Sequence, residues 1–113
     1  MSLLDTDVIL DLLRKRRYEA GSISVITLIE ILGGIKTEKR AKAKKLLEES
    51  FTVLGLDNRV IETYCRLRDK GIPIPDANLL IAATALSRSL PIKTRDKRFR
   101  KVKEFGLKLQ LQS

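Results

Sequence analysis

The chain has 113 residues, 33% of them charged and 43% hydrophobic, which is the size and balance of one globular domain spanning residues 1–113. It has no histidine and one cysteine, Cys65, so a His-ligated metal, a Ser-His-Asp or Cys-His nucleophile, an internal disulfide and a cysteine-based zinc cluster are all excluded. Twenty-three basic residues against fourteen acidic ones give +9, a charge that attracts polyanions, nucleic acid foremost, while an aromatic content of 4% weighs against a base-stacking sheet platform.

The start, Met1-Ser2-Leu3-Leu4-Asp5, lacks the basic lead of a secretory signal, and no apolar run approaches the ~20 residues of a membrane span. A soluble, cytoplasmic protein with no membrane contact is therefore expected. Ser2–Leu4 is a short apolar approach to Asp5, and Thr6–Leu13 has helical spacing, closed by the cations Arg14-Lys15-Arg16-Arg17. Gly21 and Ser22 read as a break. Ile23–Ile35 is apolar almost all round, which predicts a buried helix.

Thr37–Ser50 predicts an amphipathic helix with Ala41, Leu46 and Leu47 on its apolar side. Thr52–Leu56 is strand-like, and Asp57 is positioned to cap a helix reaching about Lys70. Gly71-Ile72-Pro73-Ile74-Pro75 is an extended crossing, after which Asp76 is expected to cap a nearly all-apolar helix over Ala77–Ser87. Leu90–Thr94 reads as a buried strand, Lys97–Phe105 as a basic helix and Leu107–Leu111 as a last strand. Strands separated by helices imply a central parallel sheet in a three-layer α/β/α fold.

Four acids occupy unusual places. Asp5 follows an apolar strand, Glu30 lies within Val25–Leu32, Asp76 leads an apolar helix, and Asp96 ends the strand Pro91–Asp96. An isolated buried carboxylate costs several kcal/mol, so each requires a cation, hydrogen bonds or a raised pKa. In an open α/β sheet, ligands bind beyond the carboxyl ends of the strands, where Asp5 and Asp96 both fall. Converging carboxylates with oxygen donors only favour Mg²⁺ or Mn²⁺. Asp5, Asp76 and Asp96 can equally serve as helix N-caps, and Glu30 can pair with a neighbouring Lys or Arg.

Four segments together resemble the PIN domain, and specifically VapC-type toxins of the VapBC toxin–antitoxin families. They are Leu4-Asp5-Thr6-Asp7-Val8, Ser24–Ile35, Leu79-Leu80-Ile81-Ala82-Ala83-Thr84-Ala85 and Thr94-Arg95-Asp96-Lys97-Arg98-Phe99. The resemblance implies a PIN-like sheet between helices and an Mg²⁺- or Mn²⁺-dependent endoribonuclease, commonly a homodimer held inactive by a VapB antitoxin. By position it assigns the metal-binding acids to Asp5, Glu30 and Asp96, with Thr6 and Thr94 as supporting hydroxyls. The third family acid falls on Asn78, so the site has one charge fewer. Asp76, two residues earlier, is the alternative catalytic acid if the helix starts late enough, but two helical residues turn ~200°, so both cannot face one site; Asn78 is expected to face the metal and Asp76 to cap the helix.

The chemistry implied is hydrolysis of RNA by a metal-activated water, with Arg14, Lys15, Arg95, Lys97, Arg98 and Lys101 as phosphate contacts. The alternative is an attenuated PIN-like module that binds RNA or a partner protein, which Asn78 favours. A haloacid-dehalogenase-like phosphatase and a response-regulator receiver fit less well, because the late acidic pair of the first and the early acidic pair of the second are missing.

Overall fold

The structure, a computed structural model, describes residues Met1–Gln112; Ser113, the last residue of the expected domain, lies outside them. The chain runs β1 (Leu3–Leu4), α1 (Thr6–Arg14), β2 (Ser22–Ser24), α2 (Val25–Gly33), α3 (Thr37–Ser50), β3 (Thr52–Leu54), α4 (Asn58–Asp69), α5 (Asp76–Ser87), β4 (Ile92–Thr94), a 3₁₀ helix (Lys97–Phe105) and β5 (Leu109–Leu111). All five strands are parallel, in the order β3-β2-β1-β4-β5. From β1 the chain first builds outward through β2 to β3, then returns to the other side of β1 for β4. The order therefore reverses between β1 and β4, and a crevice opens beyond their carboxyl ends.

Helices cover both faces, as expected for a parallel sheet. Leu3 and Leu4, consecutive on the central strand, point to opposite sides and belong to two separate cores. Leu3 packs with Val60 and Leu67 of α4, Leu79 and Ile81 of α5, and Phe99 and Val102 of the 3₁₀ helix. Leu4 packs with Val8 and Ile9 of α1, Leu28 and Ile31 of α2, and Leu47 of α3. Gly21 allows β1 and β2 to approach: a Cβ there would sit 3.0 Å from the Leu4 side chain. Among the described residues no helix is long and apolar enough to cross a membrane.

Several elements differ from the sequence expectations. Gly21-Ser22 is not a break: Ser22–Ser24 is a fully buried strand, and the following helix is Val25–Gly33 rather than Ile23–Ile35. The polar atoms of the strand's serines are satisfied, Ser24 Oγ accepting from the Ile26 amide at 3.0 Å as N-cap of α2 and the Ser22 hydroxyl donating to the Met1 sulfur at 3.1 Å. Nor is α2 buried all round, since Ile29 is 60% exposed. On α3 only Leu47 reaches the core, and Leu46 is 56% exposed.

Strand β4 begins at Ile92, after Pro91, which has no N–H for a ladder bond. Asp57 caps α4 as anticipated, accepting from Val60 N–H at 3.0 Å. Asp76 does not cap α5. It is the first helical residue, and its carboxylate turns to Arg68 (3.3 Å) and the Tyr64 hydroxyl (3.0 Å). The segment Lys97–Phe105 is helical but 3₁₀ throughout. Its inward residues Phe99, Val102 and Phe105 recur every third position, the period of a 3₁₀ helix, whereas an α-helix of ~3.6 residues per turn would swing Phe105 ~120° away from Phe99. Gly106 ends the helix at φ +98°, a conformation that favours glycine.

Candidate active site

The residues beyond β1 and β4 meet in the crevice where the strand order reverses. Asp5 directly follows β1 and is also the N-cap of α1. Its side chain is 5% exposed; Oδ1 accepts from Thr6 N–H at 2.8 Å and Oδ2 from the Thr94 hydroxyl at 2.6 Å. Burial pushes the Asp5 carboxyl from its ordinary 3.8 up to about 6; the Thr94 hydrogen bond opposes that rise, and the nearby charges of Asp7 and Asp96 add to it. Capping and site formation are thus two uses of one carboxylate.

Thr94, the last residue of β4, is fully buried and bridges two acids. Its hydroxyl donates to Asp5, and the same oxygen accepts from the Asp96 N–H at 3.0 Å. On the other side, Thr6 Oγ1 donates to Glu30 Oε1 at 2.8 Å and lies 3.1 Å from Thr27 Oγ1. Glu30 stands on the exposed side of α2, so it bears no cost of burial, contrary to the expectation of a buried acid. Among the described residues it forms no ion pair.

Asp96 caps the 3₁₀ helix, Oδ1 accepting from Arg98 N–H at 2.9 Å. The Arg98 guanidinium folds back over both carboxylate oxygens, Nη2 reaching Oδ2 at 2.7 Å and Nε reaching Oδ1 at 3.0 Å. Arg98 holds the Asp96 carboxyl below the usual range. Asn78, in the first turn of α5, donates from Nδ2 to Asp96 Oδ2 at 3.1 Å. A hydrogen-bonded string therefore runs Glu30–Thr6–Asp5–Thr94–Asp96–Asn78, joining α2, α1, β4 and α5 through the two capping acids Asp5 and Asp96. Asp76 is not part of it.

Asp7 is a member of this cluster that the sequence reading did not single out. Its carboxylate accepts from the Arg95 amide at 3.2 Å, and partial burial raises its pKa. The signal was its place one turn into the helix that Asp5 caps, two residues on and beside the same crevice. The basic residues divide into three sets. Arg14, Lys15 and Arg95 converge on Asp11 at 3.6, 3.1 and 3.1 Å, Arg98 is committed to Asp96, and Lys97 and Lys101 are exposed.

The donors in the crevice are oxygen atoms, suited to a hard cation, and Asp5 is a buried carboxylate flanked by two others. Among the described residues, however, no three acids form a preassembled ligand cluster, and Arg98 occupies the carboxylate of Asp96. A cation at Asp96 must displace this guanidinium.

The PIN domain family model matches residues 2–105. The chain is 36% identical over 115 residues to Ribonuclease VapC1 of Methanocaldococcus jannaschii, covering 95% of this chain and 85% of that protein. Among solved structures it is similar to VapBC-1 from nontypeable Haemophilus influenzae, with a TM-score of 0.79 at 26% identity over 97% of this chain and 96% of the other. It is also similar to FitAcB from Neisseria gonorrhoeae, with a TM-score of 0.70 at 28% identity over 96% of each chain. A five-stranded parallel sheet with acids at its reversal point, a family model spanning nearly the whole chain and a relative of this identity agree: the chain belongs to the PIN domain family, in its VapC branch.

Proposed function

We propose that this chain is a divalent-metal-dependent endoribonuclease, the toxin of a toxin–antitoxin pair acting in the cytoplasm. The observation that carries this reading is Asp5, a buried carboxylate with its pKa raised to about 6, tied through Thr6 to Glu30 and through Thr94 to Asp96. Asp5, Glu30 and Asp96 are the residues that would hold Mg²⁺ or Mn²⁺, with the amide oxygen of Asn78 as a fourth donor. Such a cation, when bound, lowers the pKa of water and neutralises charge on a phosphodiester.

The chain's own residues set the geometry of that chemistry. Thr94 fixes the spacing of Asp5 and Asp96, because one hydroxyl oxygen serves both. Thr6 orients one oxygen of Glu30 and leaves the other open to solvent. Lys97, Arg98 and Lys101 begin a basic run beside the acids and are suited to RNA phosphates. The similarity to VapBC complexes supports a VapB-like antitoxin as a protein partner, and a second copy of this chain is the other partner of this reading. Leu10 and Leu13, each 43% exposed and lining a shallow groove with Asp7, Arg14 and Arg95, offer an apolar face beside the crevice for such a partner.

A second reading, an attenuated module that binds RNA without cutting it, is favoured by Asn78 and Arg98 together. Asn78 supplies an N–H where a carboxylate would add charge, and Arg98 neutralises Asp96. Cleavage of a labelled RNA panel in Mn²⁺ or Mg²⁺, comparing the natural chain with Asn78→Asp, separates the two. Cleavage by the natural chain establishes the nuclease, cleavage by Asn78→Asp alone establishes the attenuated module, and silence from both removes the catalytic reading.

A further inference from the structure

At the far end of α5 from Asn78 lies a second concave site, a groove of about 460 Å³ between α4, the last turn of α5 and the end of the 3₁₀ helix. Leu86 and Ser87, at its edge, are eight and nine residues beyond Asn78, which places them ~12–14 Å along the helix from the acids. Arg59, Arg66 and Lys70 line it from α4, and Phe105, partly buried, contributes an aromatic side chain. Glu62 is the acid of the lining.

The three cations have no ion-pair partner among the described residues. Neighbouring cations on the same helices do: Arg68 is paired with Asp76 and Arg88 with Asp57. All three are exposed, Arg66 bonded only to the Thr63 hydroxyl at 3.3 Å, and with Glu62 as the one acid of the lining the concavity keeps a net positive charge that attracts an anion. The groove also connects to the candidate active site. The 3₁₀ helix is capped by Asp96, starts at Lys97 and ends at Phe105 in the groove, a length of ~18 Å at ~2.0 Å per residue.

With Phe99, Val102 and Phe105 turned inward, the threefold repeat leaves two outer rows. One is Lys97, Arg100 and Lys103, all cationic and exposed; the other is Arg98, Lys101 and Glu104. A basic track thus leads from the acids to a basic groove with an aromatic side chain, the combination that holds single-stranded nucleic acid without reading its sequence.

We infer that the groove lined by Arg59, Arg66, Lys70 and Phe105 binds the phosphate backbone of single-stranded RNA, a few nucleotides along the strand from the acids beyond β1 and β4. This inference extends the nuclease reading to a second contact on the same substrate, yet it is tested without cleavage. The test is fluorescence anisotropy of the full chain with labelled oligoribonucleotides in EDTA at several salt concentrations. It compares the natural chain with the triple variant Arg59→Ala/Arg66→Ala/Lys70→Ala. The control is Lys39→Ala/Lys42→Ala/Lys45→Ala, three exposed lysines of α3 that carry the same total charge.

The groove variant is expected to bind at least tenfold more weakly at moderate salt. The slope of log K against log salt is expected to fall by ~2, the loss of three contacts at ~0.7 each. The α3 variant should remain within twofold of the natural chain, and Arg59→Lys/Arg66→Lys should retain most of the affinity, which shows that charge rather than folding is measured. Equal weakening in both triple variants, or none in the groove variant, overturns the inference. So does unchanged RNA affinity with loss of binding to an acidic peptide, which would make the groove a protein site. A chain that binds RNA through the groove but never cuts it would defeat the nuclease reading alone, and one that cuts RNA with no dependence on the groove would defeat this inference alone.

Discussion

Replacing Asp5 by asparagine removes a charge that the fold holds at a cost. Moving a carboxyl from 3.8 to about 6 corresponds to ~3 kcal/mol between its protonated and ionised forms. Because the folded-state pKa lies above the unfolded one, stability from this group is fully present at acid pH and is lost as pH rises from about 4 through about 6. Asparagine keeps the bond from Thr6 N–H but not the one from Thr94, whose buried hydroxyl loses its carboxylate acceptor; that cost does not depend on pH, so it cancels when the difference is compared between two pH values. The difference in unfolding free energy, Asp5→Asn minus the natural chain, should therefore grow by roughly 2–3 kcal/mol between pH 4 and pH 7.5. Taking the difference cancels most of the titration of the other acids.

Urea unfolding followed by circular dichroism, at four pH values in EDTA, measures this directly. Added Mn²⁺ at pH 7.5 should shift the difference toward the natural chain, since a ligand at a hundred times its Kd adds ~2.7 kcal/mol to the protein that binds it. A difference that does not change between pH 4 and pH 7.5 would refute the claim that the fold holds the ionised Asp5 at a cost.

Thr94→Val removes the donor to Asp5 and the acceptor for the Asp96 amide, and should cost ~2–3 kcal/mol while raising the Asp5 pKa further, as read by NMR titration of the carboxyl carbons. Arg98→Ala frees both oxygens of Asp96 and lets its pKa return toward the ordinary range, so calorimetry should show Mn²⁺ binding several-fold more tightly. Unchanged affinity would count against Asp96 as a ligand. Phe99→Ala, at a fully buried side chain of the 3₁₀ helix, should cost ~3–5 kcal/mol in denaturant unfolding.

The sheet and its covering helices were legible because parallel strands here are short apolar runs set between amphipathic segments, Ile92–Thr94 among them. Ser22–Ser24 was not, because its strand character comes from central placement beside β1 rather than from its composition. The 3₁₀ helix shares its bounds with the expected helix, and only the spacing of Phe99, Val102 and Phe105 distinguishes the two kinds of turn. Within the crevice, Asp5 and Asp96 were marked by their places after apolar strands. Asp7 was not, since a second acid in the first turn of a helix is ordinary dipole complementation. Asp76 misled for a related reason: an acid at a helix start reads as a cap, yet Arg68 and Tyr64, both on α4, draw it aside. The grip of Arg98 on Asp96 depends on the tight 3₁₀ turn that brings residues two apart together.

The claim that the acids beyond β1 and β4 form one cation site is tested most directly by titrating Mn²⁺ into the natural chain and Asp5→Asn, followed by electron paramagnetic resonance. The account predicts saturable binding by the natural chain that is abolished or weakened at least tenfold in Asp5→Asn. Absence of binding to the natural chain, or equal binding by both proteins, would contradict it.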